Sequence, residues 1–224
     1  MEWIKRIDDV VAEKHLLNHA FYTAWTEGRL SIGALRGYSE QYYKHVSAFP
    51  RYISAIHTQT PDLETRQYLL ENLIDEERGA ESHPELWLRF AEGIGATRED
   101  VRNADAIDET LECDRTFREI TTARGSLAGL AALYAYESQV PAVAQSKIDG
   151  LKTHYGIDDE QTLSFFSVHL EVDTWHAERA RELLASATPE EQDAAVQAAS
   201  DALDALNLLL DGVVRAHCPE VAAA

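Results

Sequence analysis

The stretch Leu127-Ala-Gly-Leu-Ala-Ala-Leu-Tyr-Ala-Tyr-Glu137-Ser-Gln-Val-Pro141 decides which kind of fold this chain forms. Its small and apolar residues predict a helix that is buried on nearly all sides. A carboxylate in such a helix must be paired or metal-bound. Pro141 has no N–H to donate to the carbonyl of Glu137, so we expect the helix to bend or open there. The alternative is a kinked core helix whose Glu137 reaches an arginine.

The rest of the chain also shows helical patterns, without strand-like alternation, internal repeats or a low-complexity linker. We therefore predict an all-α fold and one domain over residues 1–224. The predicted helices are 6–27, 31–58, 61–78, 84–95, 97–122, 126–154, 159–186 and 189–217. Helix starts are expected at Thr60-Pro61 and Thr188-Pro189, where a hydroxyl would cap the helix and proline would follow. Helix ends are expected near Gly28, Gly79, Gly95, Gly125 and Gly156.

Composition excludes several classes of function. The formal net charge of −19 argues against binding to nucleic acid or to an anionic membrane surface. No stretch approaches the roughly 18 apolar residues that a membrane span needs. The N-terminal residues lack the apolar run of a signal peptide, and Cys113 and Cys218 form no CxxC pair. We therefore expect a cytoplasmic protein with reduced cysteines.

Six residues supply three carboxylates and three imidazoles, the usual ligands for two first-row metal ions held between helices. They are Glu76, His83, Glu137, His169, Asp173 and His176. Positions 169, 173 and 176 have the spacing i, i+4 and i+7, which lies on one face of a helix. Glu76 is in phase with two leucines, and His83 precedes Pro84 near a helix start.

Each of these residues also has a plainer interpretation. Glu76 alone would be an exposed acid, and His83 alone would be an N-cap residue. A single core histidine is most often hydrogen-bonded to the backbone or to a carboxylate. The six together, at metal-ligand spacing, favour a buried metal cluster.

The ordered set resembles that of the haem-oxygenase-like di-metal oxidases. It is most similar to the chlamydial death-domain-associating protein family, whose members make para-aminobenzoate for folate. Thiaminase-like hydrolases and pyrroloquinoline-quinone synthases are more distant relatives that share the bundle. The resemblance implies a bundle of seven to eight helices around a di-iron or iron–manganese centre, without haem. It also implies a homodimer.

The resemblance further implies that the enzyme consumes its own side chains. The tyrosine that supplies the ring corresponds to Tyr22, and the lysine implicated as amino donor corresponds to Lys147. Tyr38 and Tyr136 correspond to tyrosines that line the site. Without the resemblance, Tyr22 would be a tyrosine at the edge of the core and Lys147 a surface or snorkelling lysine.

The leading hypothesis is a non-haem di-metal oxygenase that forms para-aminobenzoate from Tyr22, once per chain. O2 would be the co-substrate, and an external donor would supply electrons because no flavin or nicotinamide motif is present. One alternative is a di-metal oxidase of an external fatty acid or amine. Another is a helical interaction protein whose acidic surface binds a basic partner.

Overall fold

A computed structural model describes residues 2–170 and 172–222, and all regular structure within these ranges is helical. Residues 1, 171, 223 and 224 of the predicted domain lie outside the described residues. The longer helices are α1 (Glu2–Glu13), α2 (Ala20–Thr26), α3 (Ile32–Gln59), α4 (Leu63–Glu77), α5 (His83–Gly93), α6 (Arg98–Asn103), α7 (Asp108–Ala123), α8 (Ser126–Glu137), α9 (Val140–Tyr155), α10 (Glu160–His169), α11 (Val172–Leu184) and α12 (Pro189–His217). A short α13 (Pro219–Ala222) follows, and 3-10 turns lie at Leu16–Asn18 and Gly79–Glu81. The prediction of an all-α chain is confirmed.

Helix α8 forms the centre of the bundle, and every residue from Ala128 to Glu137 is buried. It packs against α12, α11, α7 and α3. Small residues let these neighbours approach closely. A Cβ at Gly129 would lie 2.5 Å from the side chain of Ile56 on α3. The expectation of a helix buried on all sides is therefore confirmed.

Four of the eight predicted helices are each divided in two. The break at Ser138–Gln139, between α8 and α9, lies beside Pro141 and confirms the expected opening. The predicted helix 6–27 is divided because His15 and His19 accept hydrogen bonds from the backbone N–H groups of Leu17 and Phe21. Such side-chain acceptors compete with helical hydrogen bonding. The other two breaks separate α6 from α7 and α10 from α11.

The helix-end signals are mostly confirmed. Thr188 forms a full capping box with Glu191 at the start of α12. The five glycines expected at helix ends all have positive φ, between 65° and 90°. The start predicted at Thr60 is wrong, because Asp62 caps α4 and the Thr60 hydroxyl donates to the carbonyl of Ile56 at the end of α3.

Both cysteines are buried and unbonded, as expected of reduced thiols. Within the described ranges, no helix combines the length and apolar character that crossing a membrane requires.

Candidate metal centre

The structure brings the six predicted ligand residues together as two groups of three. Glu76, His83 and His169 form one group, and Glu137, Asp173 and His176 form the other. Within each group, one ligand atom from every residue lies within 4.8 Å of the others. All six side chains are buried, so the reading of Glu76 as an exposed acid is wrong.

Helix ends build this site. His83 is the first residue of α5, while Glu137 and His169 are the last residues of α8 and α10. Ser82 holds the N-cap position, so the N-cap interpretation of His83 is wrong. The predicted stripe at 169, 173 and 176 does not lie on one helix, because α10 ends at His169 before α11 begins. The break places His169 in one group and the other two residues in the second.

The three buried carboxylates of the cluster favour the binding of a cation. Among the described residues, no arginine or lysine forms an ion pair with Glu76, Glu137 or Asp173. Burial, with the charge of Glu76, raises the pKa of Glu137 to about 8. Burial also raises the pKa of Asp173 well above its ordinary value, as do the neighbouring carboxylates. Divalent cations would stabilise both groups in their ionised form.

The ring nitrogens of two histidines also favour the binding of cations. Nδ1 of His83 is buried 2.9 Å from Oε2 of Glu76 without forming a hydrogen bond. Nδ1 of His169 lies 2.5 Å from the backbone carbonyl of Phe165. Because a carbonyl only accepts, Nδ1 carries the proton and Nε2 keeps its lone pair for a metal ion. The donor set and its geometry therefore fit two first-row metal ions.

Two buried residues of α4 hold the Glu137 carboxylate. Nδ2 of Asn72 donates to Oε1 of Glu137 over 2.8 Å, and the Tyr68 hydroxyl donates to Oε2 over 3.4 Å. The Tyr68 hydroxyl also lies 3.2 Å from the carbonyl of His176. The predicted alternative, an arginine partner for Glu137, is wrong. Sequence reasoning missed Tyr68 and Asn72, although both precede Glu76 at helical spacing on one face.

The outer edge of the cluster approaches solvent at His176. Its Nε2 lies 3.2 Å from Oδ2 of Asp75, whose side chain is 45% exposed. The sequence analysis did not identify Asp75 as a neighbour of the cluster. Carboxylates in this position fix the ring of a metal-binding histidine.

A cavity next to the cluster is lined by Tyr136 together with Val46, Phe49 and Phe165. A second cavity shares Tyr136, Phe165 and His169 with the first, and Lys147 also lines it. Tyr136 therefore lies beside the candidate metal cluster.

Lys147, Tyr22 and Tyr38 form a second buried cluster. Nζ of Lys147 donates to the Tyr38 hydroxyl over 2.7 Å and lies 5.4 Å from the centre of the Tyr22 ring. The hydroxyls of Tyr22 and Tyr38 are 3.4 Å apart. Tyr22 is 0% exposed and Lys147 is 3% exposed, so the reading of Lys147 as a surface lysine is wrong.

The surroundings of Lys147 are almost entirely aromatic. Its amino group lies between 5.0 and 5.5 Å from the ring centres of Tyr38, Tyr42, Trp87 and Phe166. No carboxylate of the described chain pairs with it. Burial therefore lowers the pKa of Lys147 to about 7, and a large share of the amine is neutral near that pH.

Tyr42 joins the two clusters and was also missed. Its hydroxyl lies 2.9 Å from that of Tyr136, and its ring centre is 5.2 Å from that of Tyr38. Tyr42 follows Tyr38 by one helical turn, which is the signal that would have found it. A line of four tyrosines, 136, 42, 38 and 22, thus leads from the metal cavity to Lys147.

Comparison with known proteins agrees with this geometry. The family described as "Iron-containing redox enzyme" matches residues 36–207. A 4-aminobenzoate synthase from Nitrosomonas europaea is 43% identical, covering 96% of this chain and 92% of its own length. Another, from Chlamydia trachomatis, is 36% identical and covers 94% of this chain and 91% of its own length.

A solved structure shows the fold. It is a domain of unknown function with a haem-oxygenase-like fold from Shewanella denitrificans. It superposes with a TM-score of 0.76 at 18% identity, covering 96% of this chain and 89% of its own. The expected fold is confirmed, and the chain belongs to the family of iron-containing redox enzymes that includes these 4-aminobenzoate synthases.

Proposed function

We propose that this chain forms 4-aminobenzoate, a folate precursor, from its own residues in an O2-dependent reaction. Tyr22 supplies the aromatic ring and Lys147 supplies the amino nitrogen. The single observation that carries this proposal is the burial of the Lys147 amine beside the Tyr22 ring, at the end of the tyrosine line. The activity of the two curated relatives supports it.

The six ligand residues would hold two ions, iron with iron or iron with manganese. The ions would supply the redox chemistry that O2 activation requires, with electrons from an external reductant. Glu137 and Asp173, which lie in one group with His176, would supply carboxylate oxygens and negative charge to the ions. Asn72 and Tyr68 restrict the orientation of Glu137 through their hydrogen bonds.

The line of tyrosines connects Tyr22 with the metal centre, so that oxidation can pass between them. Each neighbouring pair along 136, 42, 38 and 22 is joined by a hydroxyl contact or by ring packing. A proton can pass between hydroxyls within the pairs 136–42 and 38–22. Oxidation of Tyr22 therefore does not require its ring to touch a metal ion.

Lys147 acts as a neutral amine in this scheme. Burial among aromatic rings lowers its pKa to about 7, so its lone pair is available at cytoplasmic pH. The hydrogen bond to Tyr38 fixes its amino group beside the Tyr22 ring. The surrounding rings exclude water that would otherwise react with oxidised Tyr22.

Consumption of Tyr22 makes the reaction a single turnover for each chain. An oxidase of an external fatty acid or amine would instead turn over many times. The relatives give no support to that alternative, and its test is the amount of product per chain.

Isotope labelling tests the two donors separately. Protein grown with lysine carrying ¹⁵N at the side-chain nitrogen should release 4-aminobenzoate that contains ¹⁵N. Protein grown with ring-labelled tyrosine should release a product with a labelled ring. Unlabelled product from fully labelled, metal-loaded protein would contradict the proposal.

Two variants sharpen this experiment. Tyr22→Phe should keep its metal ions and form no product. Tyr52→Phe is the matched control, because Tyr52 is also buried and its hydroxyl donates to Asp114, which belongs to neither cluster. Full yield from Tyr22→Phe would disprove self-consumption.

A further inference from the structure

Another aromatic residue lies next to the metal cluster, on the side that faces solvent. Trp175 on α11 is 45% exposed to solvent. Its ring centre lies 5.1 Å from that of His176, a member of the cluster. It also lies 6.2 Å from the ring of Tyr68, which donates to the Glu137 carboxylate. One large, oxidisable side chain therefore connects the buried cluster with solvent.

Trp175 differs from the other tryptophans of the chain. Trp25 and Trp87 are 0% exposed, and Trp3 on α1 is 8% exposed. In soluble proteins an exposed indole is uncommon, because its burial is favourable. The indole of Trp175 forms no hydrogen bond to another described residue. Its packing against His176 and Tyr68 buries only part of the indole, which stays 45% exposed.

We propose that Trp175 is oxidised by the metal centre when the oxidation does not reach Tyr22. We call this outward path through Trp175 the exit. This inference rests on the proposed oxidation of the metal centre by O2. Indole and phenol rings are among the most readily oxidised side chains. A centre that oxidises Tyr22 through three intervening tyrosines can also oxidise an indole in contact with one of its ligands.

The electron balance of this exit is simple. Trp175 would lose one electron, which bound metal ions in their oxidised state would accept, and its indole proton would pass to water. A thiol in solution can return one hydrogen atom and restore the indole, leaving a thiyl radical. Without a thiol, the indolyl radical combines with O2. After gaining one hydrogen atom from the reductant used for loading, the adduct rearranges to N-formylkynurenine, with cleavage of the pyrrole double bond.

The exit and the productive route leave the centre in different directions. The inward route runs through Tyr136 to buried rings that bulk solvent and thiols do not reach. The outward route passes through His176 and Tyr68 to an indole that solvent reaches. Loss of the inward route should therefore send more oxidation to Trp175.

Peptide mapping tests this inference. The protein is loaded with iron(II) and manganese(II), reduced with one equivalent of ascorbate, exposed to O2 in buffer without thiols or excess ascorbate, and digested. We expect oxygen addition at Trp175, severalfold above a metal-free sample treated identically. Trp3 should stay unmodified in both samples. Equal oxidation of Trp175 with and without metal would overturn the inference, because exposure alone would then explain it.

Variants separate this inference from the proposed function. Tyr22→Phe should raise oxygenation of Trp175 severalfold over the natural protein. Trp175→Phe should shift oxygenation to Tyr68 and His176, while Trp3→Phe should change nothing. Product formed by the natural protein, with no oxygen at Trp175 in that protein or in Tyr22→Phe, would overturn the exit alone. Oxygenated Trp175 without product or loss at Tyr22 would overturn the proposed synthesis alone.

Discussion

Two buried clusters of ionisable groups lie side by side in this bundle, and they have opposite electrostatic needs. The metal cluster crowds three carboxylates with three imidazoles, and ring nitrogens in it lack hydrogen bonds. The Lys147 cluster holds a single amine among rings, and its amine and hydroxyls are hydrogen-bonded to one another. No lysine or arginine of the described residues pairs with the carboxylates of the first cluster, whereas the second cluster is complete when its lysine is neutral.

This difference separates the roles of the two regions. A cluster of acids and histidines at helix ends is suited to binding cations and moving electrons. A neutral amine held against an aromatic ring is suited to forming a bond to that ring. Variants of the first region should therefore lose metal, and variants of the second should keep metal and lose product.

The largest effect is expected from Glu137→Gln. This change removes one charge from the fully buried carboxylate without altering its shape. We expect metal content to fall from two ions per chain and product to disappear. Metal analysis of the purified protein, with an activity assay, is the measurement. Two retained ions would mean that Glu137 is not a ligand.

Asn72→Leu should have a smaller effect on the same region. Loss of its hydrogen bond to Glu137 should weaken metal binding by about 10–100-fold, as is typical for residues that orient a ligand. Competition with a chelator measures the affinity. Gln67→Leu, at an exposed position of the same helix, is the control and should bind metal normally.

Lys147→Met tests the second region through the pH dependence of stability. The unfolded-state pKa of lysine is about 10.4, whereas burial lowers the pKa of Lys147 to about 7. Between these values the unfolded chain binds more protons, so the free energy of unfolding of the natural protein should rise with pH. The variant lacks this contribution.

Below pH 7, Lys147→Met should therefore be the more stable protein, by at most about 5 kcal/mol. That advantage should shrink as pH rises toward 10. Urea unfolding of both proteins at several pH values gives the difference. A difference that does not change with pH would show that Lys147 keeps its ordinary pKa. The variant should also keep its metal and lose product.

The smallest effect is expected from Asp75→Asn. Asp75 contacts His176 from a half-exposed position, so its loss should weaken metal binding by only about tenfold. The same chelator competition detects it. An effect larger than that of Asn72→Leu would reverse the order assigned to these two positions.

Sequence reasoning predicted which six residues come together but not how they are arranged. The apolar stretch around Glu137 and the spacing from His169 to His176 were enough to indicate a buried cluster. Periodicity could not show that a helix break follows His169, because breaks depend on tertiary packing as well as on local preference. The division into two groups of three follows from that break.

The second cluster was harder to predict from the sequence. Lys147 has the pattern of a surface residue, and only the packing of α9 against its neighbours buries it. Tyr42, Asn72 and Tyr68 lie at helical spacing from predicted site residues, and that spacing would have identified them. Metal identity, the cytoplasmic location and the homodimer stay predictions.

Intact mass before and after exposure to O2, with 4-aminobenzoate assayed in the same sample, tests the central claim most directly. The protein should be loaded with two metal ions and reduced first. We predict a loss of mass that maps to Tyr22, with no more than one product molecule per chain. An unchanged mass, whether with repeated turnover or with no product, would contradict the account.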